Sequence, residues 1–154
     1  MEPLTLPLAD EAATLRLGAA LAARARRGDV LALRGPLGAG KSTLARGFVR
    51  ALAGADEEVP SPTFTLVQTY DTPAGEIWHF DLYRLERPDD ALELGIEDAF
   101  AVAICLIEWP ERLGGWLPRR RLDITLVPTG DGGRTAVLAS PEQWKERLQD
   151  MAHE

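Results

Sequence analysis

Cysteine is almost missing from this sequence: its 154 residues hold one, Cys105. A single thiol cannot close an internal disulfide, so a scaffold stapled for an oxidising compartment is excluded. Long apolar runs are missing too. Without roughly 20 such residues in a row, the sequence offers no membrane-spanning helix. Near the N-terminus the basic start and unbroken apolar stretch of an export signal are lacking, and Glu2, Asp10 and Glu11 stand there instead. These absences point to the reducing cytoplasm. Basic charge is also short, with 17 Lys and Arg against 24 Asp and Glu, a net charge of −7. That argues against gripping nucleic acid with the whole surface, because such binding neutralises phosphates with Lys and Arg. Internal repeats and low-complexity segments are absent.

Two local basic runs remain, Arg24-Ala25-Arg26-Arg27 and Arg119-Arg120-Arg121. They read as solvated helix ends or strand starts, or as a local patch. Acids gather at Glu86, Asp89, Asp90, Glu93, Glu97 and Asp98, either a solvated helix face or a surface for a basic partner. With 45% hydrophobic and 27% charged residues, the chain has the make-up of one soluble globular domain spanning residues 1–154.

Apolar spacing predicts a helix from Asp10, its N-cap, to Arg27, closed by Gly28. A short buried strand follows at Asp29–Leu33, and a second helix from Lys41 to near Gly54. Phe64–Tyr70 and Glu76–Tyr83, joined by a turn at Asp71–Gly75, read as a β-hairpin. Pro88–Phe100 reads as a short helix, and the uniformly apolar Ala103–Ile107 as a strand covered on both faces. Leu122–Leu126 and Arg134–Leu138 predict a second hairpin, and Pro141–Met151 a closing helix with Trp144 and Leu148 inward. The expected fold class is α/β: a single three-layer domain around a mixed, partly antiparallel central sheet.

The most specific stretch is GPLGAGKST, Gly35 to Thr43, directly after an apolar strand and opening a helix. Its Gly-x4-Gly-Lys-Ser spacing matches the phosphate-binding P-loop of nucleotide hydrolases. Glycines let backbone N–H groups turn toward an anion, and the new helix adds its positive end. Lys41 supplies a point charge to terminal phosphates, and the Ser42 hydroxyl can ligate Mg²⁺.

Other residues are candidates to complete the site. Glu108 lies where an apolar strand runs out, the place for a carboxylate that meets Mg²⁺ or an ordered water; a solvated strand end is the plainer alternative. Asp81 can orient a water, or pair with Arg84 as a structural ion pair. His79 reads as a structural strand residue. Ser61-Pro62-Thr63 is a hydroxyl-bearing loop that either orders around a γ-phosphate and Mg²⁺ or is a simple turn. Trp109 is either core or a neighbour of the nucleotide, and Cys105 a small buried hydrophobe.

Four segments, GPLGAGKST, SPTFTLV, HFDLYRL and LIEWPE, in this order and spacing, resemble the TsaE (YjeE) family of bacterial ATPases of tRNA threonylcarbamoyladenosine formation. The resemblance runs from Asp10 to about Arg134. It implies ATP and Mg as cofactors, and the TsaD–TsaB heterodimer as partner. Hydrolysis would support repeated transfer of threonylcarbamoyl to the adenosine beside the anticodon, with tRNA met only through the partners and no membrane. It also implies that Gly38, Ala39, Gly40, Lys41, Ser42 and Thr43 cradle phosphates, that Ser42 and Glu108 hold Mg²⁺, and that Asp81 positions water. Thr63 would belong to a switch-like loop, and Trp109 would adjoin the site. Glu11, Thr14 and Arg134 would lie near the nucleoside. The catalytic set is then Lys41, Asp81 and Glu108. Pro36 stands where the family usually has an acid and Ser42 where it usually has Thr; both keep the loop's chemistry. A small-molecule kinase and a non-catalytic nucleotide switch remain as alternatives, although no long arginine-bearing lid is visible.

Overall fold

A computed structural model describes residues 3–60, 62, 65–139, 142–149 and 151. In chain order they form β1 (Leu4–Leu8), α1 (Glu11–Ala22), β2 (Val30–Arg34), α2 (Lys41–Ala53), β3 (Val67–Thr72) and β4 (Gly75–Asp81). Then follow α3 (Ile96–Val102), β5 (Ile104–Glu108), β6 (Leu122–Pro128), β7 (Arg134–Ala139) and α4 (Glu142–Gln149), with 3-10 segments at Pro88–Leu94 and Pro110–Trp116. The strands make one mixed sheet in the order β1-β7-β6-β2-β5-β4-β3. Strand β2 runs parallel to both β5 and β6, and β5 parallel to β4. Both outer pairs, β3 with β4 and β1-β7-β6, are antiparallel.

Alternation along the strands divides the core in two, as strand geometry requires. Leu31, Leu33, Ile104, Leu106 and Ile124 face one side, where Leu21, Leu44, Phe48 and Trp144 of α1, α2 and α4 cover them. Val30, Phe80, Cys105 and Ile107 face the other, under Ala91, Ile96, Ala99 and Leu113 of α3 and the 3-10 segments. That is the expected three-layer, mixed-sheet arrangement. Helices α1 and α2 press together through Gly47, where a Cβ would lie 2.3 Å from the Leu15 carbonyl oxygen; only a residue without a side chain fits.

Several boundaries differ from expectation. Helix α1 does start on the Asp10 cap, whose Oδ1 accepts from Ala13 N–H at 2.8 Å. It stops at Ala22 rather than Arg27. There Arg24 Nε donates to the Arg147 carbonyl at 3.0 Å, and Gly28 N–H, with φ at +88°, donates to the Ala103 carbonyl at 2.9 Å. The helix expected over Pro88–Phe100 splits at Gly95, whose left-handed φ of +80° ends one segment and starts α3. In the first hairpin β3 begins at Val67, because Leu66 is left-handed (φ +67°) and breaks the strand. Its turn shortens to Pro73-Ala74, since Thr72 pairs with Gly75. Strand β1 was not expected at all. Ser61, Thr63, Phe64 and Pro141 lie outside the described residues. Trp144 and Leu148 are buried as expected.

Candidate functional site

The parallel strands β2, β5 and β4 end side by side, and the chemistry-bearing residues lie at those ends. Leu33 pairs with Glu108, and Glu108 with Asp81. After β2 the chain turns through Gly35, Gly38 and Gly40, all at positive φ, into α2. Gly40 caps that helix without a side-chain hydrogen bond, so the first N–H groups of α2 carry no capping side chain and can meet an anion. Arg134, from the start of β7, lies against this loop: a Cβ on Gly40 would sit 2.7 Å from its Nε.

Lys41 opens α2 and is nearly buried. Its ammonium donates to the Gly35 carbonyl and sits 3.5 Å over the centroid of the Trp109 ring. Burial lowers its pKa, against the opposing pull of Glu108, Glu111 and Asp81. Trp109 is held in the left-handed region (φ +60°), between the end of β5 and Pro110, and its ring meets Tyr83 with centroids 4.9 Å apart.

Glu108 is the hub. Ser42 Oγ donates to its Oε1 and Oε2 at 3.1 and 3.3 Å, and His79 Nε2 lies 2.7 Å from Oε2. Asp81 Oδ1 accepts from the Tyr83 backbone N–H at 3.1 Å. Burial raises the Asp81 pKa; the Tyr83 hydrogen bond opposes this, and the neighbouring Glu108 charge adds to it. A hydroxyl and a carboxylate oxygen are the donors a hard divalent cation takes, and magnesium needs only one or two protein ligands when phosphates supply others. Among the described residues no group of three or more His, Cys, Asp or Glu side chains offers a fuller metal site. A cleft of about 400 Å³ opens over these groups.

The sequence of this chain matches the family model for "Threonylcarbamoyl adenosine biosynthesis protein TsaE" over residues 8–136. The chain belongs to the TsaE family. It is 43% identical over 145 residues to the tRNA threonylcarbamoyladenosine biosynthesis protein TsaE of Haemophilus influenzae, covering 90% of this chain and 91% of that one. Identity to the Bacillus subtilis protein of the same name is 41% over 114 residues, 73% of this chain and 70% of that one. The crystal structure of Bacillus subtilis YdiB superposes with a TM-score of 0.82 at 29% identity, covering 99% of this chain and 95% of that one.

In this TsaE-family chain, Gly38, Gly40, Lys41, Ser42, Thr43, Asp81, Glu108, Trp109 and Arg134 all line the one cleft. Ala39 is buried beside it, its N–H donating to the Pro36 carbonyl at 3.1 Å. Glu11 and Thr14 do not line it. Glu11 is exposed on α1 and pairs with Arg46 at 2.9 Å, while Thr14 is fully buried, with its hydroxyl 3.5 Å from the Asp10 carbonyl. Thr63 lies outside the described residues. Three lining residues escaped the sequence reading of the site: Leu37, Tyr83 and Arg84. The last two lie two and three residues after Asp81, and the HFDLYRL segment was their only signal. His79, read as structural, touches Glu108. Among the described residues no helix is long and apolar enough to cross a membrane.

Proposed function

We propose that the cleft binds ATP with Mg²⁺ and hydrolyses it, and that hydrolysis supports a TsaD–TsaB complex in threonylcarbamoyladenosine formation on tRNA. The observation that carries this reading is the meeting of the Ser42 hydroxyl and the Glu108 carboxylate at 3.1 Å, in the first turn after a glycine loop that also bears Lys41. Backbone N–H groups of the loop and the start of α2 hold the phosphates. Lys41 exchanges the Gly35 carbonyl for the terminal phosphates, a short swing of a flexible side chain. Ser42 and Glu108 hold the magnesium. When bound, the ion neutralises charge on the phosphate oxygens. Asp81 orients the attacking water and accepts its proton; the raised pKa brings its basicity closer to that task. Arg134 and Trp109 border the nucleotide. The acidic surface, with a net charge of −7, leaves contact with tRNA to the partners, as a protein of the cytoplasm working within a larger complex.

Phosphate release from ATP, by the chain alone and with TsaD–TsaB added, tests the reading. A slow basal rate that rises with the partners is expected, since a site completed in trans gains about 10³-fold or more. Glu108→Ala abolishes the rate. A rate indifferent to both would refute the hydrolase, and a phosphorylated small molecule in place of free phosphate would identify a kinase.

A further inference from the structure

His79 is one of two histidines in the chain, and on β4 it shares a face of the sheet with Asp81 and, across the register, with Leu106 and Glu108 of β5. Its side chain is 1% exposed and that of Glu108 4%. The Nε2 atom stands 2.7 Å from Glu108 Oε2, whereas Nδ1 is buried with no hydrogen-bond partner among the described residues. A histidine kept for packing alone bears the cost of burying two polar nitrogens, and an apolar residue of similar size would avoid it. Among the described residues the ring's polar contact goes to a single carboxylate oxygen.

The choice of oxygen matters. The Ser42 hydroxyl donates to both oxygens of Glu108 but lies nearer Oε1, at 3.1 Å against 3.3 Å to Oε2. An ionised carboxylate only accepts, so the contact with His79 requires a hydrogen at Nε2 of the ring. With Oε2 held by the buried ring, Oε1 is the oxygen left to Ser42 alone.

We propose that His79 is a positioning residue: its Nε2–H grips Glu108 Oε2 and holds the Oε1 edge beside the Ser42 hydroxyl, where the divalent cation binds. The role rests on the metal site of the proposed function, and its test separates the two. The full-length chain is titrated by calorimetry with a non-hydrolysable ATP analogue, once with Mg²⁺ and once with EDTA. Wild type binds more tightly with Mg²⁺. His79→Leu loses about 10-fold or more of that gain while its affinity in EDTA is unchanged, the scale on which a lost orienting partner weakens a metal site. His79→Gln, whose amide places a donor near the Nε2 position, keeps most of the gain. A His79→Leu chain with the full gain, or a glutamine variant as impaired as leucine, overturns the role. Wild type without any gain overturns the metal reading and the role with it. A second readout needs no variant to fold. In ¹⁵N-histidine spectra of the wild type, the buried ring shows a protonated Nε2; a ring whose Nε2 carries no hydrogen refutes the proposal.

Discussion

Gly47→Ala puts the contact between α1 and α2 to a quantitative test. In an exposed helix this change stabilises by up to about 1 kcal/mol, because alanine is the better helix former. Here the new Cβ would lie 2.3 Å from the Leu15 carbonyl oxygen and 3.0 Å from its Cα, where ordinary contact begins near 3.4 Å. The obstacle is backbone, so no rotamer change relieves it, and the helices must part by about 1 Å. A gap of that size forfeits roughly a quarter to a half of each dispersion contact across it. Overpacking costs about 1–3 kcal/mol. At the upper end of that range, less the propensity gain, the net loss is about 2 kcal/mol. For a chain of this size it lowers Tm by roughly 4–8 °C. Urea unfolding of Gly47→Ala beside Gly115→Ala measures it, since a Cβ at Gly115 meets nothing within 4 Å. A Gly47→Ala chain as stable as wild type would refute the account of how α2, and the Lys41 and Ser42 it carries, is seated.

Lys41 sits 3.5 Å over the Trp109 ring, so its departure to a bound nucleotide changes Trp109 emission: ATP alters the fluorescence of wild type but not of Trp109→Phe, and an unchanged response in the variant refutes the link. Burial raises the Asp81 pKa in the folded chain. Its stabilising contribution is therefore present below the unfolded carboxylate range and lost as pH rises through the raised value. Asp81→Asn is the more stable chain at neutral pH, and the gap closes in acid; denaturant titrations at the two pH values check the sign. The Cys105 thiol, pushed up to about 12 by burial, fails to react with a disulfide reagent near pH 8 until the chain is unfolded.

The loop from Gly35 to Thr43 was legible because its requirements are local: positive φ at three glycines and a helix starting at a fixed offset. Glu108 was legible from the apolar run before it, which only a strand buried on both faces explains. Strand β1 was not. Its sequence, Leu4-Thr5-Leu6-Pro7-Leu8, has the alternation of a strand but carries a proline, which argues against a central position. It is an edge strand, where one missing donor is tolerated. Helix α1 was drawn too long because alanine and arginine fit a helix almost anywhere, and the contacts that end it, to Arg147 and Ala103, come from distant parts of the chain. For the same reason no local pattern could tell that His79 meets Glu108: the two share neighbouring strands 29 residues apart.

Asp81 and Glu108 are opposed in register on neighbouring strands, both are buried, and the Glu108 charge makes ionisation of Asp81 less favourable. Lys41 is drawn to both carboxylates, but burial works against its charge and its ammonium donates to the Gly35 carbonyl. A sequence selected for stability alone would separate these acids or pair them with arginine, since unpaired buried charge is among the costliest features a fold can carry. The sheet concentrates them beside the glycine loop, at one end of the parallel strands. Under the proposed function, a divalent cation beside Glu108 would add positive charge there, and its binding energy would include relief of the repulsion that Glu108 exerts on Asp81. That is the physical reason to regard this end of the sheet as a binding site rather than a misplaced pair of acids.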